Sequence, residues 1–267
     1  MLPLAGGCAP GPHHRITAAP NQPVRGKFKP EAPLLPFVDS FTADEWQAIR
    51  LTLVVASRAV LVDLPLALGL ALLLSRGRFA GRGLLDTVAH LPLVLPPVVV
   101  GWLLLLLFGL HGPVGALLYV WFDVRLVFTR TGAILACAVM ILPLMLRAIR
   151  LSLETVDPGL EQAARSLGAG PWDRFLSITL PLAAPGVLVA AITGFAAALG
   201  EFGAVITFAA NIPGQTQTLP LAIYSALQSP GGAEAAARLS LVSVGLAVVF
   251  LTVAESLGRR LRARVGR

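Results

Sequence analysis

Five apolar stretches, 46–75, 84–110, 131–148, 177–199 and 235–257, divide this chain, with short polar or turn-rich breaks between them. About 20 such residues suffice to carry a helix across the ~30 Å hydrocarbon core of a bilayer. Inside that core no water bonds exposed peptide groups, so each stretch must satisfy its own backbone as a helix. The predicted fold class is therefore all-α, a polytopic membrane protein of about five transmembrane helices. Composition agrees: 56% of the 267 residues are hydrophobic and only 13% are charged, more apolar sequence than a soluble core needs. Residues 1–40 read differently, rich in Pro and Gly and without hydrophobic period, and are expected to be a disordered N-terminal extension ahead of a membrane domain at 41–267.

Thr42 to Trp46 should cap the first span and set a Trp at headgroup level. Arg58 and Asp63 lie within that span, five residues apart and badly placed to pair with each other, so partners elsewhere are expected. They are either stations on a polar pathway or structural charges. The second span, 84–110, carries His90, Pro92, Pro96 and Pro97 in its first half and should bend there. His90 reads as a hydrogen-bonded structural histidine, since no second metal-type residue has the spacing of a ligand. Residues 111–129 read as a short interfacial connection. The fourth span is rich in Ala and Gly and should be a central, protein-packed helix. After Gly200-Glu201-Phe202-Gly203 comes a long uncharged stretch with turn signals at Asn211–Gly214 and Thr216–Pro220. A partly re-entrant or interfacial segment is expected there, with a short helix over Leu219–Gln228.

The formal charge of +7 is a topology signal before it is a nucleic-acid signal, because five arginines crowd the last nine residues. Placing the turn 76–82, the polar loop near 157–175 and the tail on one side gathers most of the arginines there. By the positive-inside rule that side is cytoplasmic. The N-terminus is then outside and the C-terminus inside.

The polar interruption VDPGLEQAARSLGAGPWDRFLSITLP (156–181) is built rather than loose. Asp157-Pro158 reads as a helix start, 160–167 as a short helix with Glu161 and Arg165 paired at i, i+4, and Gly168, Gly170 and Pro171 as its end. A second amphipathic turn, 172–178, follows. A small-residue helix exposed between spans suits insertion into a partner's groove. Ala163-Ala164, Gly168, Ile178 and Leu180-Pro181 resemble the cytoplasmic coupling loop of ABC-importer permeases. The family's acidic position falls on Gln162, with Glu161 one residue earlier, so the residue making the polar contact with the ATPase stays open. Beyond the loop, the segments 91–97, 143–150, 200–214 and 217–224 resemble molybdate-transporter permease subunits over nearly all of 41–267.

That resemblance implies a homodimer bound to two ATP-hydrolysing subunits, with a periplasmic or tethered molybdate-binding protein delivering the oxyanion. It implies ATPase-coupling residues at Glu161, Gln162, Ala163, Ala164, Gly168, Ile178, Leu180 and Pro181. A translocation path or gate is assigned to Gly200, Glu201, Phe202, Gly203 and Asn211. The chain has no phosphate-cradling glycine loop, no nucleophile–His–acid set and no His/Cys cluster. It is expected to be non-catalytic and to bind no cofactor itself, with ATP and Mg on the partner ATPase. Rival readings are a sulfate, thiosulfate or tungstate permease, and a self-sufficient secondary transporter, for which the internal repeat is missing.

Overall fold

A computed structural model describes residues 41–77 and 79–265, which fold into helices without a strand among them. The expected extension 1–40 lies outside the described residues. Helix α1 (Ala43–Arg76) opens with a capping box: Thr42 accepts from the Glu45 N–H at 3.3 Å while Glu45 accepts from the Thr42 N–H at 2.7 Å. Helices α2 (Arg82–Val94), α3 (Pro97–Phe108) and α4 (Pro113–Phe122) follow, then the long α5 (Arg130–Glu154). The polar interruption forms α6 (Pro158–Ser166) and α7 (Pro171–Arg174), and a π turn (Phe175–Thr179) joins α7 to α8 (Leu180–Leu199). The chain ends with α9 (Gly203–Ala209), α10 (Leu219–Gln228) and α11 (Ala233–Val265).

Among the described residues, four helical stretches are long and apolar enough to cross a membrane: Ala43–Arg76, Arg130–Glu154, Pro171–Leu199 and Ala233–Arg259. Helices α3 and α4, bent by 48°, make a fifth when taken as one broken span. The expected second span is therefore not continuous. It breaks at Leu95-Pro96, because a residue ahead of proline is pushed to extended backbone and Pro97 opens a new helix at its first turn. The supposed connection 111–129 contains α4, and the polar tail remains helical to Val265.

The core is centred on α5, with 56% of its apolar stretch buried against 17% for that of Pro171–Leu199, which contains α8. Ala133, Ala136, Cys137, Ile141, Met145 and Ile149 fall on its inward stripe, and α1 meets it with Val55, Ala56, Ala59, Ala67 and Ala71. Cys137, on the same stripe, is a buried packing residue. Helix α8 is thus not the centre of this chain, although its small residues do serve close packing. A Cβ on Gly186 would stand 2.2 Å from the Ser152 Cβ, and one on Gly194 would stand 2.7 Å from the Met145 sulfur.

Candidate coupling and translocation sites

Asp157 caps α6 by accepting from the Gly159 N–H at 2.8 Å, with Pro158 at the first helical position as the sequence indicates. The helix closes in a Schellman-type turn: the Ala169 N–H reaches the Ala164 carbonyl and Gly168 takes φ +88°. Gly168 is required here by its backbone angle. No atom lies within 4 Å of the Cβ it lacks, so bulk at this position meets only open space.

Glu161 does not pair with Arg165. Its carboxylate turns back into the protein, where it accepts from the Arg76 guanidinium at the end of α1 and from the Thr179 hydroxyl at 2.5 Å. Arg76 also reaches the Thr179 oxygen at 3.5 Å, closing a three-way cluster. Thr179 is fully buried, whereas 43% of the Arg76 side chain and 19% of that of Glu161 stay accessible. One carboxylate thereby ties α6 to α1 and to the root of α8. Charge-assisted bonds of this kind are shorter and stronger than neutral ones.

The residues next to Glu161 look the other way. Gln162 and Ala163 are exposed and Ala164 is half-buried, as are Ile178 and Leu180, while Pro181 is exposed. Leu160, Leu167, Trp172 and Leu176 add apolar surface that nothing in the described chain covers, and Leu167 is 89% exposed. The composition of 156–181 gave these four residues no distinction from core leucines. Their exposure is the feature that sequence reasoning lacked.

Between α7 and α8 the Leu180 N–H bonds the Phe175 carbonyl, five residues back. Pro181 has no N–H for the Ser177 carbonyl, and its ring would crowd that group in a regular helix, so the wider turn sits where the strain would fall. From Pro171 the helical path then continues to Leu199, 29 residues in all. The hairpin and the second group of expected residues stand at opposite ends of this one rod.

At the far end, Gly200 terminates α8, and the Glu201 carboxylate accepts from the Ala204 N–H at 2.9 Å, capping α9. Its carboxylate thus has a structural use. Phe202 packs on Tyr224, ring centroids 5.2 Å apart. Gly203 lies so close to α3 that a Cβ would come within 2.7 Å of the Pro97 Cβ. Ala204, Val205, Phe208 and Ala209 are all completely buried, so α9 is a packed wedge of seven residues, too short to span.

The loop after α9 is pinned. Ala210 adopts φ +61°, ψ −169°, a conformation essentially restricted to glycine, and the buried Thr216 holds it by donating to the Ala210 carbonyl at 3.1 Å. Asn211 donates to the Ser225 hydroxyl at 2.6 Å, which brings it onto α10. Its Oδ1 is buried without a partner among the described residues. Helix α10 falls on Leu219–Gln228, as the turn signals indicated, and the Leu219 N–H donates to Thr52 of α1 at 2.6 Å.

Of the charges within the first span, Asp63 is buried with Oδ2 unpartnered, and Arg58 is exposed without an ion pair among the described residues. The partners expected for them elsewhere are not among those residues. His90 bonds the Asp86 carbonyl at 2.8 Å, the structural role expected of it. Asp86 also takes Arg150 of α5 at 3.2 Å, tying α2 to the core.

The arrangement matches known proteins in sequence and in shape. The family model described as "Binding-protein-dependent transport system inner membrane component" matches residues 63–265. The chain is 55% identical over 226 residues to the "Molybdenum transport system permease protein ModB" of Escherichia coli K12, covering 85% of this chain and 99% of that protein. It is 36% identical to the "Sulfate transport system permease protein CysW" of Synechocystis sp. PCC 6803, covering 84% of this chain and 81% of that one. Among solved structures, a bacterial alginate ABC transporter in complex with a periplasmic protein bound to an alginate pentasaccharide superposes with a TM-score of 0.69 at 22% identity, over 86% of this chain and 84% of its own. At that identity the likeness speaks for the fold alone. The chain belongs to the inner membrane components of binding-protein-dependent transport systems, alongside the molybdenum transport permeases of that family.

Proposed function

We propose that this chain is the membrane-crossing subunit of an ATP-driven importer of molybdate, acting as a homodimer with two copies of an ABC ATPase. A molybdate-binding protein, periplasmic or tethered, supplies the oxyanion from outside. The N-terminus is outside and the hairpin α6–α7 and the C-terminus are cytoplasmic. ATP and Mg belong to the ATPase, and this chain holds neither. Identity of 55% to the molybdenum permease against 36% to the sulfate permease favours molybdate over sulfate.

One observation carries the mechanism: the hairpin turns its carboxylate inward and its leucines outward. Exposed Leu160, Leu167 and Trp172 fill a cleft on the ATPase, with small Ala163 and Ala164 permitting close approach. Gln162, exposed beside them, makes the polar contact, because Glu161 is engaged within the chain. When the two ATPases close, the cluster of Glu161, Arg76 and Thr179 passes the displacement to α1 and α8 together. A helical rod of 29 residues, about 43 Å long, carries it to the turn Gly200–Gly203 and to the wedge α9. Rigid-body rotation of packed helices then opens the path to one side or the other. Gly200, Glu201, Phe202, Gly203 and Asn211 set the position of that far end rather than coordinating the dianion through a fixed opposite charge.

Reconstitution of the chain with its ATPase and binding protein in vesicles tests this reading. Radiolabelled molybdate should accumulate only with ATP, and excess sulfate should not compete. Uptake by the chain without the ATPase, or sulfate imported in preference to molybdate, would overturn it.

A further inference from the structure

Several arginines of this chain are matched by acids. At the inner end of α5 a cavity of about 470 Å³ is lined by Arg147 and Arg150, but Asp86 and Glu154 line it too, and Arg150 bonds both. Arg76 has Glu161, and Arg238 has Glu45. The other half of α1 departs from this pattern. A cavity of about 290 Å³ takes its polar wall from Gln47, Arg50, Arg58, Arg130 and Gly214, with no carboxylate lining it. Arg130, the first residue of α5, donates to the Gly214 carbonyl at 2.5 Å, which fixes one guanidinium in place. A Cβ on Gly214 would stand 3.0 Å from the Gln47 Oε1, so the loop after α9 closes on α1 here. Arg50 and Arg58 are exposed and make no ion pair or hydrogen bond among the described residues.

The acids nearest in α1 are engaged or face away. Glu45 is buried, accepts from the Thr42 N–H and pairs with Arg238 at 3.0 Å. Asp63 is buried five residues beyond Arg58, about 140° round the helix from it. Asp44 stands six residues before Arg50, about 120° round. Three like charges drawn to one concavity repel each other. Arg58 adds to the cost, since it lies about 22 Å along α1 from Ala43, where an unmatched charge is expensive. An anion in the cavity would offset both. Each guanidinium offers a flat fork of N–H donors suited to the oxygens of an oxyanion. Forks supplied by two helices at different heights can surround a compact tetrahedral anion, whereas a planar carboxylate occupies a single fork.

We infer that this basin binds a tetrahedral oxyanion dianion, held by Arg50, Arg58 and Arg130 on the outer side of the membrane. The inference rests on the orientation and the oxyanion cargo proposed above, but not on which oxyanion is carried, since molybdate and sulfate share charge and shape. Gly214 in its wall belongs to the same loop as Asn211, so the basin borders the segment that joins α9 to α10. Two of the three guanidinia are exposed, so water competes for them and the anion is held loosely enough to leave. A site of this kind raises the local concentration of substrate at the outer mouth without placing a fixed charge deeper along the path.

Equilibrium dialysis of the purified full-length protein against radiolabelled molybdate tests the site, with the protein in phosphatidylcholine nanodiscs and neither ATPase nor binding protein present. The native chain should retain molybdate, sulfate should displace it, and chloride at the same ionic strength should not. Arg50→Gln and Arg58→Gln should each weaken retention about tenfold. Arg58→Lys, which keeps the charge and loses the fork, should recover part of it. Arg259→Gln, at the other end of the molecule, should not change it. Absence of retention by the native chain would overturn the inference without recourse to any variant. So would chloride displacing molybdate as well as sulfate does, or undiminished retention by the Arg50→Gln Arg58→Gln double variant. The transport reading fails separately: ATP-driven molybdate uptake by a chain that retains none would remove the basin alone, and preferential sulfate uptake would remove the cargo assignment alone.

Discussion

The two ends of the rod Pro171–Leu199 are built on opposite plans. At the hairpin, α6 and α7 bury no residue of their own, and among the described residues a charged cluster at Glu161 ties α6 to α1 and to the root of α8. At the far end, α9 buries five of its seven residues and meets α3 so closely that Gly203 has no room for a side chain. An end fastened by polar contacts and faced with uncovered leucines can be seized and moved by another protein. An end packed to crystal-like density responds only as a body. The same helix thus joins a handle to a wedge, and each substitution should fail in the manner of the end it touches.

The largest effect is expected at the wedge. Gly203→Val inserts atoms where a Cβ alone would stand 2.7 Å from the Pro97 Cβ, and overpacking of that kind costs about 1–3 kcal/mol or more. Thermal unfolding of the purified protein should drop measurably and transport should disappear with it. An unchanged unfolding temperature would mean that α3 and α9 can separate freely. At the handle the two readouts should part company. Glu161→Ala leaves Arg76 and Thr179 without their shared acceptor, yet the cluster is partly solvated, so stability should fall by only about 1 kcal/mol. Transport per ATP hydrolysed should fall by about tenfold, and Glu161→Asp, with a shorter reach, should recover part of it. A variant that transports normally would remove the cluster from the coupling path. The smallest effect on the fold is expected from Leu167→Ser, which changes a side chain 89% exposed. Its unfolding should match that of the native chain within about 0.5 kcal/mol, while co-purification of the ATPase weakens.

Much of this contrast could be read from the residues, and the part that could not has a common cause. Apolar length marked the four long apolar helices, the Thr42–Glu45 pattern marked the start of α1, and the spacing of Asp157, Pro158 and Gly168 outlined α6, because each of these signals is local. Glu161 illustrates the limit. Its local partner at i, i+4 is Arg165, worth a few tenths of a kcal/mol on an isolated helix. The buried Thr179 and Arg76, 85 residues away in sequence, win once the chain folds. The break at Leu95-Pro96 was written in the prolines as a bend, but whether the helix kinks or stops depends on neighbours that the sequence does not place. The run of small residues in α8 likewise announced close packing without saying that α5, not α8, would hold the centre.

The π turn at Phe175–Thr179 has a geometric consequence of its own. A regular helix advances 100° per residue, so one residue absorbed in a wide turn rotates everything beyond it by about that angle. The stripe that α7 offers outward is therefore out of phase with the stripe by which α8 meets α5. A single shaft can thus present a gripping surface in one direction and a bearing surface in another, with neither sequence pattern compromised by the other.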